Sequence, residues 1–417
     1  MSFDIALSGI QAINDALDTT SHNIANAGTY GFKSSRANFS SLVAGSQVTG
    51  VQVGSVTQSI GLQGGILNTG LALDASINGR GFFMARDAST GETQYTRVGI
   101  FDASKDGFLV DASGRKVQGY TVNPATGKAT SAPGDIAIQT GSIPAVASQK
   151  NPYVGNMSAD WKVTKTAWDD AAVTPATPPD SDTFTHSSSS YIYDTLGGKH
   201  TLTQYFARTD DGSGPNGVPG SVDVHYVLDG AVVGSAKLVF DSTGQMTADP
   251  TNGFTVPLAL AALPTGNAGT FNDVSIDYTG TTGFAGEGVT TKNAADGYAS
   301  GTYNGLSLGK DGSIIASYSN DQKQTIGRLA IATFPDEGAL TQISDTSWVA
   351  SQSSGEALVN APGEGLGGTI NVATLEQSNV DITSELVGLM TSQRNYQANS
   401  KVIQTESTML QSLMQAI

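Results

Sequence analysis

Residues 382–417 read ITSELVGLMTSQRNYQANSKVIQTESTMLQSLMQAI. Ile382, Leu389, Tyr396, Ile403, Leu410 and Ile417 recur every seven residues, with no proline and only Gly388 as an interior breaker. A seven-residue apolar repeat demands a helical partner, because a lone amphipathic helix leaves its stripe in water. The capping arrangement Ser378-x-x-Asp381 places the helix start near 379–381, and at 1.5 Å per residue the helix is roughly 54 Å long. The intermediate positions Leu386, Gln393, Ser400, Ser407 and Met414 are mixed in polarity, so the seam is not a strong zipper. Such a helix asks for neighbours beyond a small core.

The other end of the chain carries a matching stripe at Phe3, Ala6, Ile10, Ile13, Leu17 and Ile24, broken only by Thr20. Its helix is expected from Ser2 or Asp4 to Asn26, with Gly28 supplying a left-handed stop. Gly9 sits inside it at some cost.

Composition bounds what lies between. Of 417 residues, 50 are glycine, and only 14% are charged against about 25% in ordinary globular proteins. That balance favours turns and β structure. A net charge of −16 argues against nucleic acid and against an anionic membrane surface. No run approaches the 18 or so apolar residues of a membrane span, and the acidic N-terminus lacks the pattern of a cleaved secretory signal. Cysteine is absent, which removes disulfides and thiol chemistry.

Along the chain, 31–70 reads as an extended connector with some strand pairs. Residues 71–145 carry short β signals with tight turns at Asp106-Gly107 and Ser113-Gly114. Prolines and polar runs at 144–189 mark a boundary. KHTLTQYFAR and SVDVHYVL then alternate, and Asp229-Gly230 joins the latter to AVVGSAKLVF as a two-residue hairpin. Beyond about 295 the style of 71–145 returns.

The expected fold is mainly β with terminal α-helices forming a coiled-coil-like pair, and two nested β-rich domains of barrel or sandwich type. The expected parts are a helical domain (1–30 and 375–417), a connector (31–70 and 360–374), an inner β domain (71–145 and 295–359) and an inserted outer β domain (146–294).

Catalytic chemistry finds little support. Asp102-x-Ser104-x-Asp106-Gly107 opens like a calcium loop, but its twelfth position is Ser113, not glutamate, so it reads as a β-turn. Gly305-Leu306-Ser307-Leu308-Gly309 matches a hydrolase elbow in letters only, since a turn and a strand follow it. His22 reads as a polar-face or packing residue. His186, His200 and His225 are expected to be solvated, although His200 and His225 have the option of meeting across strands. Acidic pairs such as Asp169-Asp170 and Asp210-Asp211 read as surface loops. No catalytic residue, cofactor site or metal site is expected.

Two blocks carry a resemblance. Asn23-Ile24-Ala25-Asn26-Ala27-Gly28-Thr29-Tyr30-Gly31-Phe32-Lys33 is similar to the N-terminal motif of the bacterial flagellar rod and hook family of axial proteins. Ser378-Asn379-Val380-Asp381, Glu385-Leu386, Met390 and Gln393-Arg394-Asn395-Tyr396-Gln397-Ala398-Asn399-Ser400-Lys401 resemble its C-terminal motif. Ile77 to Phe83 and Tyr95 to Phe101 look like inner-domain text of the same family. The motifs cover about a quarter of the chain, and its length with an inserted domain resembles the hook branch.

The resemblance implies a non-enzymatic subunit of a helical homopolymer, a short curved tube joining the motor to the filament. Implied partners are rod, hook-cap and hook–filament junction proteins and the flagellar export apparatus, with an extracellular location at the hook and basal body. It also implies that the helix stripes are assembly surfaces. A distal rod or other axial component remains open at this point. A secreted β-rich adhesin leaves both terminal motifs unexplained.

Overall fold

The computed structural model describes residues 2–44, 47–123, 128–175, 177–208, 221–261, 263 and 269–416. The chain is mainly β with one helix at each end, α1 (Ser2–Ala25) and α2 (Ile382–Ala416). It divides into two units. One comprises 1–140, 304–317 and 323–417; the other comprises 141–303 and 318–322.

In the first unit, α1 is followed by a long antiparallel hairpin of β1 (Ser35–Ala44) and β2 (Gln47–Gln58). Most of the stretch 31–70, expected as a connector with some strand pairs, is thus an antiparallel ribbon, with register shifts at Asn38/Phe39 and Leu42/Val43, while Ile66–Asn68 pairs with Thr374–Glu376. Beyond it lies a large sheet whose strands come from both sides of the excursion into the second unit. Strand Lys323–Leu329 pairs with Lys116–Thr121, and Ile331–Thr333 pairs with Phe82–Arg86. Phe82, Met84, Tyr95, Phe334, Leu340 and Trp348 fill its core. The Tyr95 and Phe334 rings meet edge to face at 4.8 Å. Trp348 Nε1 donates to Gln58 Oε1 at 2.9 Å, which ties the end of β2 to this core.

The second unit packs the antiparallel sheet His186–Tyr193, Lys199–Ala207, Ser221–Leu228, Ala231–Phe240 and Met246–Thr247 against a smaller four-stranded sheet built around Lys150–Asn156. Alternation decides which face is inside: Leu202, Gln204 and Phe206 point inward, as do Val224, Tyr226 and Leu228. Asp229 and Gly230 both have positive φ (48° and 88°), the geometry a two-residue hairpin of the primed type requires.

The histidines depart from the sequence reading. His200 is buried, with Nδ1 at 2.7 Å from Asp229 Oδ2 and Nε2 at 3.6 Å from Asp194 Oδ2. His225 stacks flat on Trp168 at 4.3 Å, and burial lowers its pKa from the ordinary imidazole value. His186 stacks on Trp161. His200 and His225 do not meet, because His225 lies opposite Tyr205 while His200 lies opposite Ile192. Each sits beside an aromatic ring that a reading of local polarity misses. The pair Asp210-Asp211 lies outside the described residues.

Candidate assembly site: the helix pair and its anchoring node

α2 is 35 residues long, about 52 Å, and α1 is 24 residues, about 36 Å. They run antiparallel. Asn23 Nδ2 donates to Glu385 Oε1 at 2.8 Å near one end, and Gly9 lies against Asn399 fourteen residues further along both helices. Continuing that register places Ser2 near Glu406, so 407–416 extend past the end of α1.

Both seams are rotated from their expected positions. On α1 the buried residues are Ala6, Gly9, Ala12, Ile13, Ala16 and Asn23; Ile10, Leu17 and Ile24 are half-buried and Phe3 is exposed. Small residues allow close approach. A Cβ at Gly9 would lie 2.8 Å from Asn399 Nδ2, so the glycine that looked costly is what seats α2. On α2 the row facing α1 pairs the half-buried Leu389 and Ile403 with Glu385, Ser392, Asn399 and Glu406, while Leu386, Gln393, Ser407 and Met414 are exposed. Tyr396 is 39% exposed, and Gln393 and Arg394 of the motif point outward. Leu410 is exposed, and Ile417 lies outside the described residues.

The start of α2 also differs. Asp381, not Ser378, caps it: Asp381 Oδ1 accepts from the Thr383 N–H at 3.0 Å and Oδ2 from Ser384 Oγ at 2.6 Å. These bonds hold the Asp381 carboxyl below its usual pKa. Ser378 Oγ instead accepts from the Val380 N–H just ahead of the helix. At the other helix, Gly28 does not adopt a left-handed conformation. α1 closes through a tight turn in which Asn26 Nδ2 donates to the His22 carbonyl at 3.0 Å. Ala25, at its last position, is exposed.

The two motifs are laced together where these helices leave the β structure. Asn23 clasps Ser35, its Oδ1 accepting from Ser35 N and its Nδ2 donating to Ser35 O, at 2.9 and 2.7 Å. Asn379 Oδ1 accepts from the adjacent Ser34 N–H at 2.7 Å, and its Nδ2 donates to the Ser59 and Leu62 carbonyls. Phe32 is buried next to the His22 ring. Gly31, not Gly28, holds the left-handed residue, at φ +67°, and a Cβ there would lie 2.9 Å from Val98 Cγ2 and 3.1 Å from Val98 N.

Gly31→Ala is therefore expected to destabilise the first unit by about 2–4 kcal/mol, combining left-handed strain with overpacking. Gly28→Ala, with nothing within 4 Å, is expected to shift stability by less than about 1 kcal/mol. Urea midpoints of the two variants check this. Equal costs would contradict the assignment.

Under the crossing lies a buried charge cluster. Lys33 Nζ is 2.6 Å from Glu376 Oε1 and donates to the Leu62 carbonyl, also at 2.6 Å. Arg97 Nη1 approaches Glu376 Oε2 at 3.4 Å, and its Nη2 donates to Gly79 O at 3.0 Å. The Gly64 N–H also donates to Glu376 Oε1. All three side chains are at most 3% exposed, so solvent screens nothing. Burial lowers the pKa of both Lys33 and Arg97, with Glu376 opposing it. Glu376 escaped the sequence reading because one glutamate in a short strand shows no periodicity. The available signal was Lys33 itself, a lysine directly after a buried Phe32. Buried charges held by partners fix one geometry, although Arg97 Nε is left without a hydrogen-bond partner; here they fix where α1, α2, the β1–β2 ribbon and the sheet meet.

What this arrangement leaves open is apolar surface. Val387, Met390, Met409, Leu410 and Leu413 are exposed on α2, and Met414 is 75% exposed. Among the described residues no group of three or more His, Asp or Glu side chains is placed to hold a metal ion.

Comparison with known proteins agrees with the motif text at both ends. Residues 76–149 match the family model described as the flagellar hook protein FlgE/F/G D1 domain, and 160–298 match the flagellar basal body protein FlaE D2 domain. Residues 373–416 match the flagellar basal body rod FlgEFG protein C-terminal model. The chain is 33% identical to flagellar hook protein FlgE of Salmonella typhimurium over 423 residues, covering 99% of each chain. Identity is again 33% to the Escherichia coli protein of the same name, covering 99% of each, and 32% to that of Brucella suis, covering 98% of this chain and 96% of that one.

Proposed function

This chain belongs to the flagellar hook protein family, and on that premise we propose that its helix pair is the polymerising surface of a curved, flexible tube that transmits torque from rod to filament. The chain is a structural subunit of the flagellar hook, located at the hook and basal body. The observation that carries the proposal is α2 itself: it outruns α1 and keeps most of its large apolar side chains in water, among them Val387, Met390, Met409, Leu410, Leu413 and Met414. Copies of the same chain hide them by packing helix against helix. In this reading the assembly residues are Phe3, Ile10, Ile13, Leu17, Ile24, Ile382, Leu386, Leu389, Tyr396, Ile403, Leu410 and Ile417. Ile13, Leu389 and Ile403 serve mainly to join the two helices of one copy.

The tube encloses an export channel, lies outside the cell, and carries no enzymatic activity. Its partners at the two ends and during growth are rod, hook-cap and hook–filament junction proteins and the flagellar export apparatus. Its parts are a helical portion (1–30 and 375–417), a connector (31–70 and 360–374), an inner β portion (71–145 and 295–359) and an outer insert (146–294). Bending comes from small polar contacts between inserts of neighbouring copies, which slide while the helical wall holds. Engineered cysteine pairs between neighbouring inserts are therefore expected to stiffen or straighten the tube on oxidation, as seen by electron microscopy. Unchanged curvature after complete crosslinking would refute the sliding.

A further inference from the structure

The two helices carry opposite charge on opposite sides of the pair. Arg394 and Lys401 are the only lysine or arginine residues of either helix. Each lies two positions beyond a residue that faces α1, Ser392 and Asn399, which is about 200° of helical rotation. Both are exposed on the face turned away from α1. On α1, Asp15 and Asp18 lie two positions beyond the seam residues Ile13 and Ala16, so they are exposed on the face turned away from α2. Asp4 shares that face. Among the described residues, the side chains of Asp15, Asp18, Arg394 and Lys401 have no hydrogen-bond or ion-pair partner within the chain.

We infer that the α2 face bearing Arg394 and Lys401 docks on the α1 face bearing Asp15 and Asp18 of a second copy of this chain, and that this pairing sets the register between neighbours. The inference rests on the polymer reading above and adds which faces meet. The back of one helix meets the back of a different helix, so the contact is heterologous; such a contact does not close into a dimer but propagates into a ring or an open helix. Val387 and Met390 lie on the same side of α2 as Arg394 and are exposed, which supplies apolar contact beside the charges. Like-on-like alternatives are disfavoured: two α1 backs bring aspartates together, and two α2 backs bring Arg394 and Lys401 together. In a subunit of net charge −16, the two cations on the outer face of α2 are well placed to orient approach.

Two full-length variants test this, Arg394→Glu/Lys401→Glu and Asp15→Lys/Asp18→Lys. All four sites are exposed, so circular dichroism and melting should match the unaltered chain. Each variant alone is expected to lose polymer, with sedimenting material down about tenfold or more. An equimolar mixture is expected to regain it, because each reversed face now meets its opposite on the other variant. Either variant polymerising alone like the unaltered chain overturns the inference, and so does a mixture that stays soluble. Failure of the unaltered chain to polymerise at all would overturn the polymer reading itself, a distinct result.

Discussion

Deletion of residues 407–417 is expected to abolish polymer while leaving a monomer as stable as the full chain. By the helix register, these residues extend past the end of α1. They carry Met409, Leu410, Leu413 and Met414, which are 56–75% exposed. Their removal costs the monomer almost no buried surface, so its urea midpoint should hold to within about 0.5 kcal/mol. In the polymer the same four side chains are expected to be covered, each worth about 1.5–3 kcal/mol when fully buried. Discounting for their present partial burial and for ordering, a loss of about 4 kcal/mol per copy remains. At 1.4 kcal/mol per tenfold, the concentration needed for assembly rises about a thousandfold. Sedimentation across a concentration series reads this directly. A truncated chain that polymerises at the original concentration would remove α2's overhang from the account.

The second large effect concerns the charge cluster beneath the crossing. Glu376 is a single carboxylate facing two cations, so Glu376→Ala strands both Lys33 and Arg97 in a dry site. Breaking a buried pair in this way costs about 3–5 kcal/mol. Lys33→Met leaves the Arg97–Glu376 pair in place and is expected to cost less, about 1–3 kcal/mol. The ordering of the two variants decides between a carboxylate that neutralises both cations and one paired with Lys33 alone.

The pH dependence has a definite sign. Burial holds the Lys33 pKa below its unfolded value in the intact chain, and loss of Glu376 removes the groups' main opposing attraction. A base with a depressed folded pKa contributes stability that is present above its unfolded pKa, about 10.4, and is lost as pH falls through the folded value. The Glu376→Ala variant should therefore recover part of its loss between pH 8 and pH 10, where the intact chain changes less. Denaturant midpoints at the two pH values check it, and a variant that weakens with rising pH would contradict the assignment.

Much of this was legible from residues alone, and the failures have physical causes. The ladder Leu389, Tyr396, Ile403 located α2 because a seven-residue spacing survives in any packing partner. Its second row was misjudged because the sequence shows which side chains are apolar, not which backbone comes close. Gly9 and Ala16 let α1 approach so tightly that Ser392 and Asn399 enter the seam, displacing Gln393 and Ser407 to solvent. The alternation of KHTLTQYFA and SVDVHYVL gave the inserted sheet, since burial on one face follows a period of two. Asn23, Asn379 and Lys33 were visible only as motif letters. Their roles depend on Ser34, Ser35, Leu62 and Glu376, partners up to 345 positions away, and no local pattern encodes them. Gly28 and Gly31 look equivalent in sequence; the left-handed backbone of Gly31 and the proximity of Val98 separate them.

Hydrogen exchange along α2, compared between monomer and assembled polymer, tests the central claim most directly. Exposed helix ends open readily, so amides of 407–416 should exchange fast in the monomer. In the polymer they should become among the most protected in the chain, together with the outward face around Val387, Met390 and Arg394. Polymer in which 407–416 exchange as fast as in the monomer would show that the tube is held elsewhere and would contradict the account.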